Sequence, residues 1–263
     1  MAQVNRLKQR LAAGDTLFGA WIGSGDPTNA EILAHHGFDF LILDLEHGLG
    51  DFRTAAEILR TLRPLDVPCV VRAPANDPIF LKKILDVGAN SLMIPGVETA
   101  EEAKAAVRAC KYPPLGTRGY AAPLVRASDY GRDVDYMRTA NAEILLVIQL
   151  ESAGAVEHAA EICAVEGVDM PFLGINDMAG TIGRLEELDH GHVRDLAARA
   201  ETAMRACGKP FGTVPSAGAD WRRLVEDGYR FIPTASDIGL LRDAARDCMR
   251  ERNAYLAARP TGR

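Results

Sequence analysis

The sequence has few of the features that mark secreted, membrane-spanning or metal-ribbon proteins. Its five cysteines are odd in number, and no two stand at C-x-x-C spacing, so neither a disulfide framework nor a zinc ribbon is indicated. The longest apolar stretches, such as 144–148, fall far short of the roughly 20 residues of a membrane-spanning helix. The N-terminal residues lack the apolar segment of a signal peptide. We therefore expect a cytoplasmic protein with no membrane partner.

The sequence also lacks an excess of positive charge. Lys and Arg number 30 against 36 Asp and Glu, which gives a net charge of −6, and no run of Lys or Arg exceeds two residues. Sequence-independent binding of nucleic acid needs a basic footprint, so no nucleic-acid partner is expected. With 48% apolar and 25% charged residues the composition is that of a globular protein, and no linker, repeat or low-complexity tract divides it. The expected organisation is one domain over residues 1–263.

The chain does contain a regular alternation of short β-rich runs and longer segments of helical period. Several runs are almost continuously apolar, as in strands covered on both faces, and 53–63 and 193–205 each place apolar residues on one helical face. The predicted strands are 17–22, 38–45, 68–72, 91–95, 144–150, 170–173, 211–214 and 231–234. Eight strands with helical crossovers predict an α/β fold of the (β/α)8 TIM barrel type. A doubly wound open sheet is the alternative, although no G-x-G-x-x-G follows the first strand.

One connection is unusually long. Residues 111–141 show only a weak helical pattern near their end, and loops of about 30 residues inside a domain are usually functional or part of an interface. Because this segment comes after the fourth strand, we expect it to lie over the carboxyl-terminal face of the barrel. Active sites of barrel enzymes lie on that face.

Carboxylates at the predicted strand ends suit a metal ion. Glu151 follows the fifth strand and Asp177 the sixth, and both supply hard oxygen ligands for a divalent ion such as Mg²⁺ or Mn²⁺. Without a cation, two nearby carboxylates would repel and raise each other's pKa. Taken singly, each also fits a salt bridge, and Asp177 fits a helix N-cap. Their position beside Arg72 and His47 favours the metal site.

Arg72 and His47 follow the third and second strands. Arg72 offers a planar fork for a carboxylate or an oxyanion, and a structural ion pair is the alternative. His47 is the natural base near neutral pH, and Asp44 could set its tautomer; a capped loop histidine is the alternative. No Lys stands at a strand end, which disfavours a Schiff-base aldolase. The combination predicts a metal-held 2-oxo acid whose enolate Arg72 stabilises.

Several short motifs follow one another along nearly the whole chain. They are FGAWIGSGDP at 18–27, GFDFLILDLEH at 37–47, VR at 71–72, LDVGA at 85–89 with IP at 94–95, YPPLGTRG at 112–119, QLE at 149–151 and GIND at 174–177. In these motifs the sequence resembles the HpcH/HpaI aldolase family, the metal-dependent class II pyruvate aldolases that act on 4-hydroxy-2-oxo acids. A single motif would be a weak signal, whereas this ordered set is specific.

The resemblance implies roles for individual residues. Glu151 and Asp177 would bind a divalent ion, Mg²⁺, Mn²⁺ or Co²⁺, with no organic cofactor. Gln149 and Arg72 would contact pyruvate or its enolate, and the backbone around Gly174 would hold the substrate carboxylate.

Further positions carry over from the same family. His47, oriented by Asp44, would act as the acid and base through a water, and Trp21 would lie at the pocket edge. Asp86 would reach the active site of a neighbouring subunit in a homo-oligomer. The family commonly forms a hexamer, a trimer of dimers that exchange a C-terminal helix. The helix predicted here over 237–258 fits that element, and packing on its own barrel is the alternative.

The chain departs from the family pattern at positions that bear on the aldehyde. Tyr120 and Pro123 stand where the family often has a small Gly- and Ser-rich stretch. Asn176 replaces a small residue before the metal-binding Asp, and 214–218 varies at the rim, where Ser216 would touch the substrate. The expected reaction is reversible cleavage of a 4-hydroxy-2-oxo acid to pyruvate and an aldehyde, with these small molecules as partners. The sequence does not identify the aldehyde.

Two other functions fit parts of the pattern. An acyl-CoA lyase of the citrate-lyase-like type would need a basic patch for the phosphates of its ligand, for which the chain offers Arg118, Arg126 and Arg132. A non-catalytic barrel that binds a 2-oxo acid is the other alternative, and the presence of both carboxylates, the Arg and the His argues against it.

Overall fold

The computed structural model describes residues 4–216 and 220–259, and a closed barrel of eight parallel strands lies at its centre. The strands are β1 Leu17–Ile22, β2 Phe40–Asp44, β3 Cys69–Arg72, β4 Ser91–Ile94, β5 Leu145–Leu150, β6 Met170–Leu173, β7 Gly212–Thr213 and β8 Phe231–Ser236. Each strand pairs with the next, and β8 pairs with β1, so the sheet has no edge. The predicted (β/α)8 TIM barrel is confirmed, and closure excludes the open doubly wound sheet.

Helices surround the barrel. They are α1 Arg6–Ala12, α2 Pro27–His35, α3 Phe52–Leu62, α4 Pro78–Val87, α5 Ala100–Cys110, α6 Tyr136–Thr139, α7 Ala153–Glu157, α8 Ala159–Ala164, α9 Ile175–Thr181, α10 Gly191–Ala206, α11 Trp221–Glu226 and α12 Asp237–Ala257. Side-chain caps fix several of their starts: Asp26, Asp51 and Asp77 each accept a hydrogen bond from a backbone N–H of the first turn. The caps fix the ends of the short loops at the carboxyl ends of the strands, and these loops carry the polar residues.

The inside of the barrel is filled with apolar side chains. The rings of Phe40 and Phe231 stack with centroids 3.9 Å apart, and a Cβ at position 19 would stand 2.1 Å from the Phe40 ring, so only glycine fits there. At the amino-terminal end, the buried side chains of Leu7 and Leu11 from α1 join this interior cluster. Among the described residues, α1 therefore closes the amino end of the barrel, which leaves the carboxyl end for the approach of a ligand.

The long segment 111–141 does not cover the carboxyl-terminal face, and that prediction was wrong. The segment begins after α5 and leads into β5. Because α5 runs back from the carboxyl end of the barrel to the amino end, the segment starts at the amino end. Within it, Arg126 donates to the carbonyl oxygens of Leu59 in α3 and Val87 in α4, at 3.1 and 3.0 Å. Asp129 accepts two hydrogen bonds from Arg63, which follows α3. The segment thus packs on the outer helices near the amino-terminal ends of the strands.

The C-terminal helix predicted over 237–258 spans Asp237–Ala257. Asp237 is its one buried residue, and the large apolar side chains that it leaves exposed are Ile238, Leu240, Leu241, Met249, Tyr255 and Leu256. Among residues 4–216 and 220–259, no helix has both the length and the apolar character needed to cross a membrane.

Candidate active site

Side chains from several strand ends meet in one cavity of about 360 Å³ at the carboxyl-terminal end of the barrel. Its lining residues are Trp21, His47, Arg72, Gln149, Phe172, Leu173, Gly174, Ile175, Asn176, Asp177 and Val214. Volume alone would not select this cavity, because clefts of about 420 and 490 Å³ lie beside Arg63 and Arg126 on the other side of the molecule. Its chemistry does, since a cation, an imidazole, an amide and a carboxylate converge there.

Asp44 ends β2 and organises the turn that follows. Its Oδ1 accepts hydrogen bonds from the backbone N–H groups of Glu46 and His47, at 3.1 and 3.2 Å. The turn is so tight that a Cβ at Gly48 would lie 2.2 Å from the Asp44 carbonyl oxygen. The bonds from Arg72 and from these backbone groups outweigh burial, which alone would raise the pKa of Asp44, and lower it below its usual value. Asp44 is therefore an ionised anchor.

Arg72 is fixed on three sides. Register pairs it with Asp44 across β2 and β3, and its Nε and Nη2 donate to the two carboxylate oxygens at 2.9 and 2.7 Å. Its guanidinium lies 4.6 Å from the centroid of the Trp21 ring, and Nη1 lies 3.0 Å from Glu46 Oε2 in an ion pair. Arginine has five N–H donors, so the pair with Asp44 leaves three of them for other groups. The geometry suits a donor to an oxyanion in the cavity.

The proposed Asp44–His47 dyad is not formed, and that prediction was wrong. Both oxygens of Asp44 are directed to Arg72 and to backbone N–H groups, and the His47 ring is 65% exposed. The carboxylate beside the ring is that of Glu46, whose Oε2 lies 3.9 Å from His47 Nε2. Sequence reasoning missed Glu46, although its position two residues after Asp44 and next to His47 offered a signal.

Glu151 and Gln149 lie deep in the site. Glu151 Oε1 accepts from the backbone N–H of Gly96, which follows β4, at 2.7 Å, and its Oε2 accepts from Gln149 Nε2 at 2.6 Å. Burial, together with the nearby carboxylates of Glu46 and Asp177, raises the pKa of Glu151 to about 7, although the hydrogen bond from Gly96 acts to lower it. A buried carboxylate in this environment would be stabilised by a cation.

Gly174 and Asp177 complete the wall next to Glu151. Asp177 lies in the first turn of α9 and is exposed to the cavity. A Cβ at position 174 would lie 2.7 Å from the Glu151 Cβ and 3.0 Å from its Oε2. Glycine is therefore required for Glu151 to approach the start of α9.

The donor set fits a divalent ion held by two protein carboxylates. Within 4–216 and 220–259, no three side chains of His, Cys, Asp or Glu are arranged as a metal cluster. Glu151 and Asp177 are hard oxygen donors, and Mg²⁺ is typically held by one or two carboxylates, with water and substrate completing its shell. Burial and the neighbouring carboxylates raise the pKa of Glu151, so a bound cation would favour its ionised form.

Other predicted positions lie away from this cavity. Asp86 accepts from Arg118 Nη2 at 2.7 Å on the outer side of α4. Ser216 follows β7 and is half-buried without lining the cavity, and the next residues of the predicted rim stretch, 217–218, lie outside the described residues. Tyr120 and Pro123 belong to the long segment, whereas Asn176 does line the cavity.

Replacing Gly174 with alanine is expected to weaken divalent-ion binding about 10–100-fold, because the new methyl group displaces Glu151. Isothermal titration with Mn²⁺ measures the change. Gly191→Ala is the matched control, since a Cβ there meets nothing within 4 Å. Equal Mn²⁺ affinity in the two variants would argue against a divalent-ion site next to Glu151.

The sequence profile of the HpcH/HpaI aldolase/citrate lyase family matches residues 17–244, which include all eight strands. This chain belongs to that family. It is 41% identical over 241 residues to a hydroxypyruvate/pyruvate aldolase of Delftia acidovorans, covering 92% of this chain and 90% of the relative. It is 38% identical over 240 residues to a 5-keto-4-deoxy-D-glucarate aldolase of Escherichia coli, covering 91% and 93%.

A solved structure shares the architecture. The crystal structure of an HpcH/HpaI aldolase/citrate lyase family protein from Burkholderia cenocepacia superimposes with a TM-score of 0.89 at 38% identity, covering 95% of this chain and 100% of the other. The resemblance to the HpcH/HpaI family is thereby confirmed over the barrel as a whole. The roles of its individual residues are taken up as proposals.

Proposed function

We propose that this member of the HpcH/HpaI family is a carbon–carbon lyase that reversibly cleaves a 4-hydroxy-2-oxo acid to pyruvate and an aldehyde. One observation carries the proposal: Arg72, locked by Asp44 and Trp21, shares a cavity with Gln149 and Asp177, beside the buried Glu151. In this arrangement Arg72 would supply positive charge to the developing enolate oxygen, which is the main requirement of pyruvate aldol chemistry.

Glu151 and Asp177 would hold a divalent ion, with Mg²⁺, Mn²⁺ and Co²⁺ as candidates. When bound, the ion would polarise the 2-oxo group and balance the negative charge that develops there. The first turn of α9, directly after Gly174, lines the cavity and has backbone N–H groups that suit the substrate carboxylate.

The remaining chemistry falls to Arg72, Gln149 and His47. Arg72 would donate to the 2-oxo oxygen, and Gln149, whose Oε1 is buried without a hydrogen-bond partner in the described structure, would orient the acid. His47 would remove the proton of the 4-hydroxyl group as the C3–C4 bond breaks, and would return a proton in the reverse reaction. Its exposed ring is accessible to the aldehyde half of the substrate.

The three arginines that an acyl-CoA ligand would need are dispersed. Arg118 is buried and paired with Asp86, Arg126 donates to backbone carbonyl groups near the amino-terminal face, and Arg132 is exposed. None of the three lines the cavity at the carboxyl end. The observed placement favours the small aldehyde acceptor.

The test combines pyruvate with a panel of aldehydes in the presence of Mg²⁺ or Mn²⁺ and follows adduct formation by mass spectrometry. At least one hydroxyaldehyde is expected to give a 4-hydroxy-2-oxo acid, and a chelator is expected to stop the reaction. Deuterium exchange into the pyruvate methyl group is the second readout, because enolisation precedes aldehyde addition. Absence of both adduct and exchange with metal present would overturn the proposal in favour of a non-catalytic 2-oxo-acid-binding barrel.

The metal-free protein is expected to lose stability as the pH rises from about 4.5 to above 7. The folded state holds the proton of Glu151 up to a pKa of about 7, against 4.5 for an ordinary glutamate, so deprotonation costs the folded state alone. The full difference is on the order of 3 kcal/mol. Urea unfolding in chelator at several pH values measures it, and Glu151→Gln should flatten the dependence. An unchanged slope in that variant would contradict the assignment.

We also propose that the chain forms a homo-oligomer, a hexamer in which dimers exchange α12. The exposed apolar side chains of α12 support this assembly. Mass photometry of the full chain and of Leu241→Asp distinguishes the outcomes. Loss of the oligomer in the variant is expected, and a monomeric wild-type protein would contradict the proposal.

A further inference from the structure

We propose that Asp237 is a positioning residue for His47. It fixes the loop after β1, and that loop fixes the turn after β2 on which His47 stands. The inference rests on the proposed role of His47 as the base. It also assigns a purpose to the Gly23-Ser24-Gly25 stretch, which the cavity itself does not use.

Asp237 is the first residue of α12, directly after β8, and is only 6% exposed. Its Oδ1 accepts from the backbone N–H groups of Gly23 and Ile238, at 2.9 and 2.8 Å. Its Oδ2 accepts from the backbone N–H of Ser24 at 3.2 Å, from the Ser24 hydroxyl, and from Asn29 Nδ2 at 3.3 Å. Both oxygens are thus committed to holding the start of the loop after β1.

That loop lies directly against the turn that carries His47. The carbonyl oxygen of Gly23 accepts from the backbone N–H of Leu49 at 2.9 Å. The backbones approach so closely that a Cβ at Gly48 would stand 2.9 Å from the Gly23 oxygen, and one at Gly25 would stand 3.1 Å from the Gly50 Cα. Two glycine contacts and one hydrogen bond therefore join the two loops.

The position of the His47 ring depends on this backbone. Over 4–216 and 220–259 no hydrogen bond holds the ring, and its ion-pair neighbour is the Glu46 carboxylate, whose Oε2 lies 3.9 Å from Nε2. The turn itself is held from one side by Asp44, which accepts from the His47 N–H, and from the other by the Gly23 carbonyl. Asp237 sets the second of these supports, so the loops after β8, β1 and β2 act as one connected unit.

Asp237→Asn tests the proposal, because Gly23 and Ser24 donate to different oxygens of Asp237, and in the amide an NH2 donor replaces one of those two acceptors. We expect kcat for aldol cleavage to fall about 10–100-fold with KM nearly unchanged, since a displacement of about 1 Å at a reacting group can cost 10²-fold. The His47 imidazole resonance, assigned by its loss in His47→Ala, should shift or broaden.

Asp169→Asn is the matched control. Asp169 accepts a hydrogen bond from the Leu146 N–H at 2.8 Å and forms an ion pair with Lys8. Like Asp237, it therefore links a backbone N–H group to another part of the chain, but at the amino end of the barrel. We expect a similar drop in Tm in both variants, with kcat and the His47 resonance altered only in Asp237→Asn. Ser24→Ala, which removes one of the five bonds, gives a smaller change of the same kind and serves if Asp237→Asn does not fold.

A wild-type kcat and an unchanged His47 resonance in Asp237→Asn would overturn the proposal, as would equal losses of kcat in Asp237→Asn and Asp169→Asn. If the wild-type protein has no aldolase activity, the proposed function fails by itself. The resonance of His47 still decides whether Asp237 positions it.

Discussion

Replacing Arg72 with lysine is expected to lower kcat/KM for aldol cleavage about 10²–10³-fold, the loss typical of removing one donor to a developing oxyanion. Lysine keeps the charge but cannot span both oxygens of Asp44 while facing the cavity, and its ammonium does not stack on Trp21 as a planar guanidinium does. The variant should bind the divalent ion normally, because Glu151 and Asp177 are unchanged.

Steady-state cleavage assays measure this loss, and Arg63→Lys is the control. Arg63 forms a similar bidentate pair with Asp129 outside the cavity. Its replacement therefore measures how much activity is lost when such a pair is broken away from the site. Activity of Arg72→Lys within twofold of Arg63→Lys would show that the fork has no part in the reaction.

His47→Ala is expected to reduce kcat about 10²–10⁴-fold, the range of general acid–base catalysis. Because the ring is 65% exposed, its removal leaves an opening, and added imidazole should restore part of the activity. The measurement is kcat with and without imidazole across a range of pH.

His158→Ala controls for the loss of a loosely held histidine. Its Nδ1 lies 3.6 Å from Glu161, a contact similar to that of His47 with Glu46, but away from the cavity. Full activity is expected in this variant. Full activity in His47→Ala would assign the proton transfer to another group.

The barrel could be predicted because each strand is a short apolar run. Eight such runs that alternate with helical segments are the pattern of a closed (β/α)8 barrel. The polar residues at the strand ends could be named for the same reason, since parallel strands deliver their carboxyl ends to one face. Which neighbour a side chain binds depends on register. Asp44 lies opposite Arg72 across β2 and β3, a pairing of residues 28 apart in sequence, and therefore binds Arg72 rather than the ring of His47.

The predicted position of the long segment was wrong for a different reason. The prediction started the segment directly from the fourth strand and left out α5. A connection that follows a helix starts from the amino end of the barrel. The missing signal was local: Thr99 and Glu102 form a capping box, the reciprocal pair of hydrogen bonds that marks a helix start. If the segment is taken to follow this helix, its predicted position is the amino-terminal face.

The plug formed by Leu7 and Leu11 has a kinetic consequence. Because one end is closed, substrates and products share a single entrance. The depth at which each molecule binds then sets the order in which the molecules enter and leave. Gln149 is 2% exposed and lies at the bottom, whereas the His47 ring lies at the mouth. In the proposed reaction, pyruvate therefore binds first and leaves last. It should inhibit cleavage competitively against the 4-hydroxy-2-oxo acid, while the aldehyde should inhibit noncompetitively.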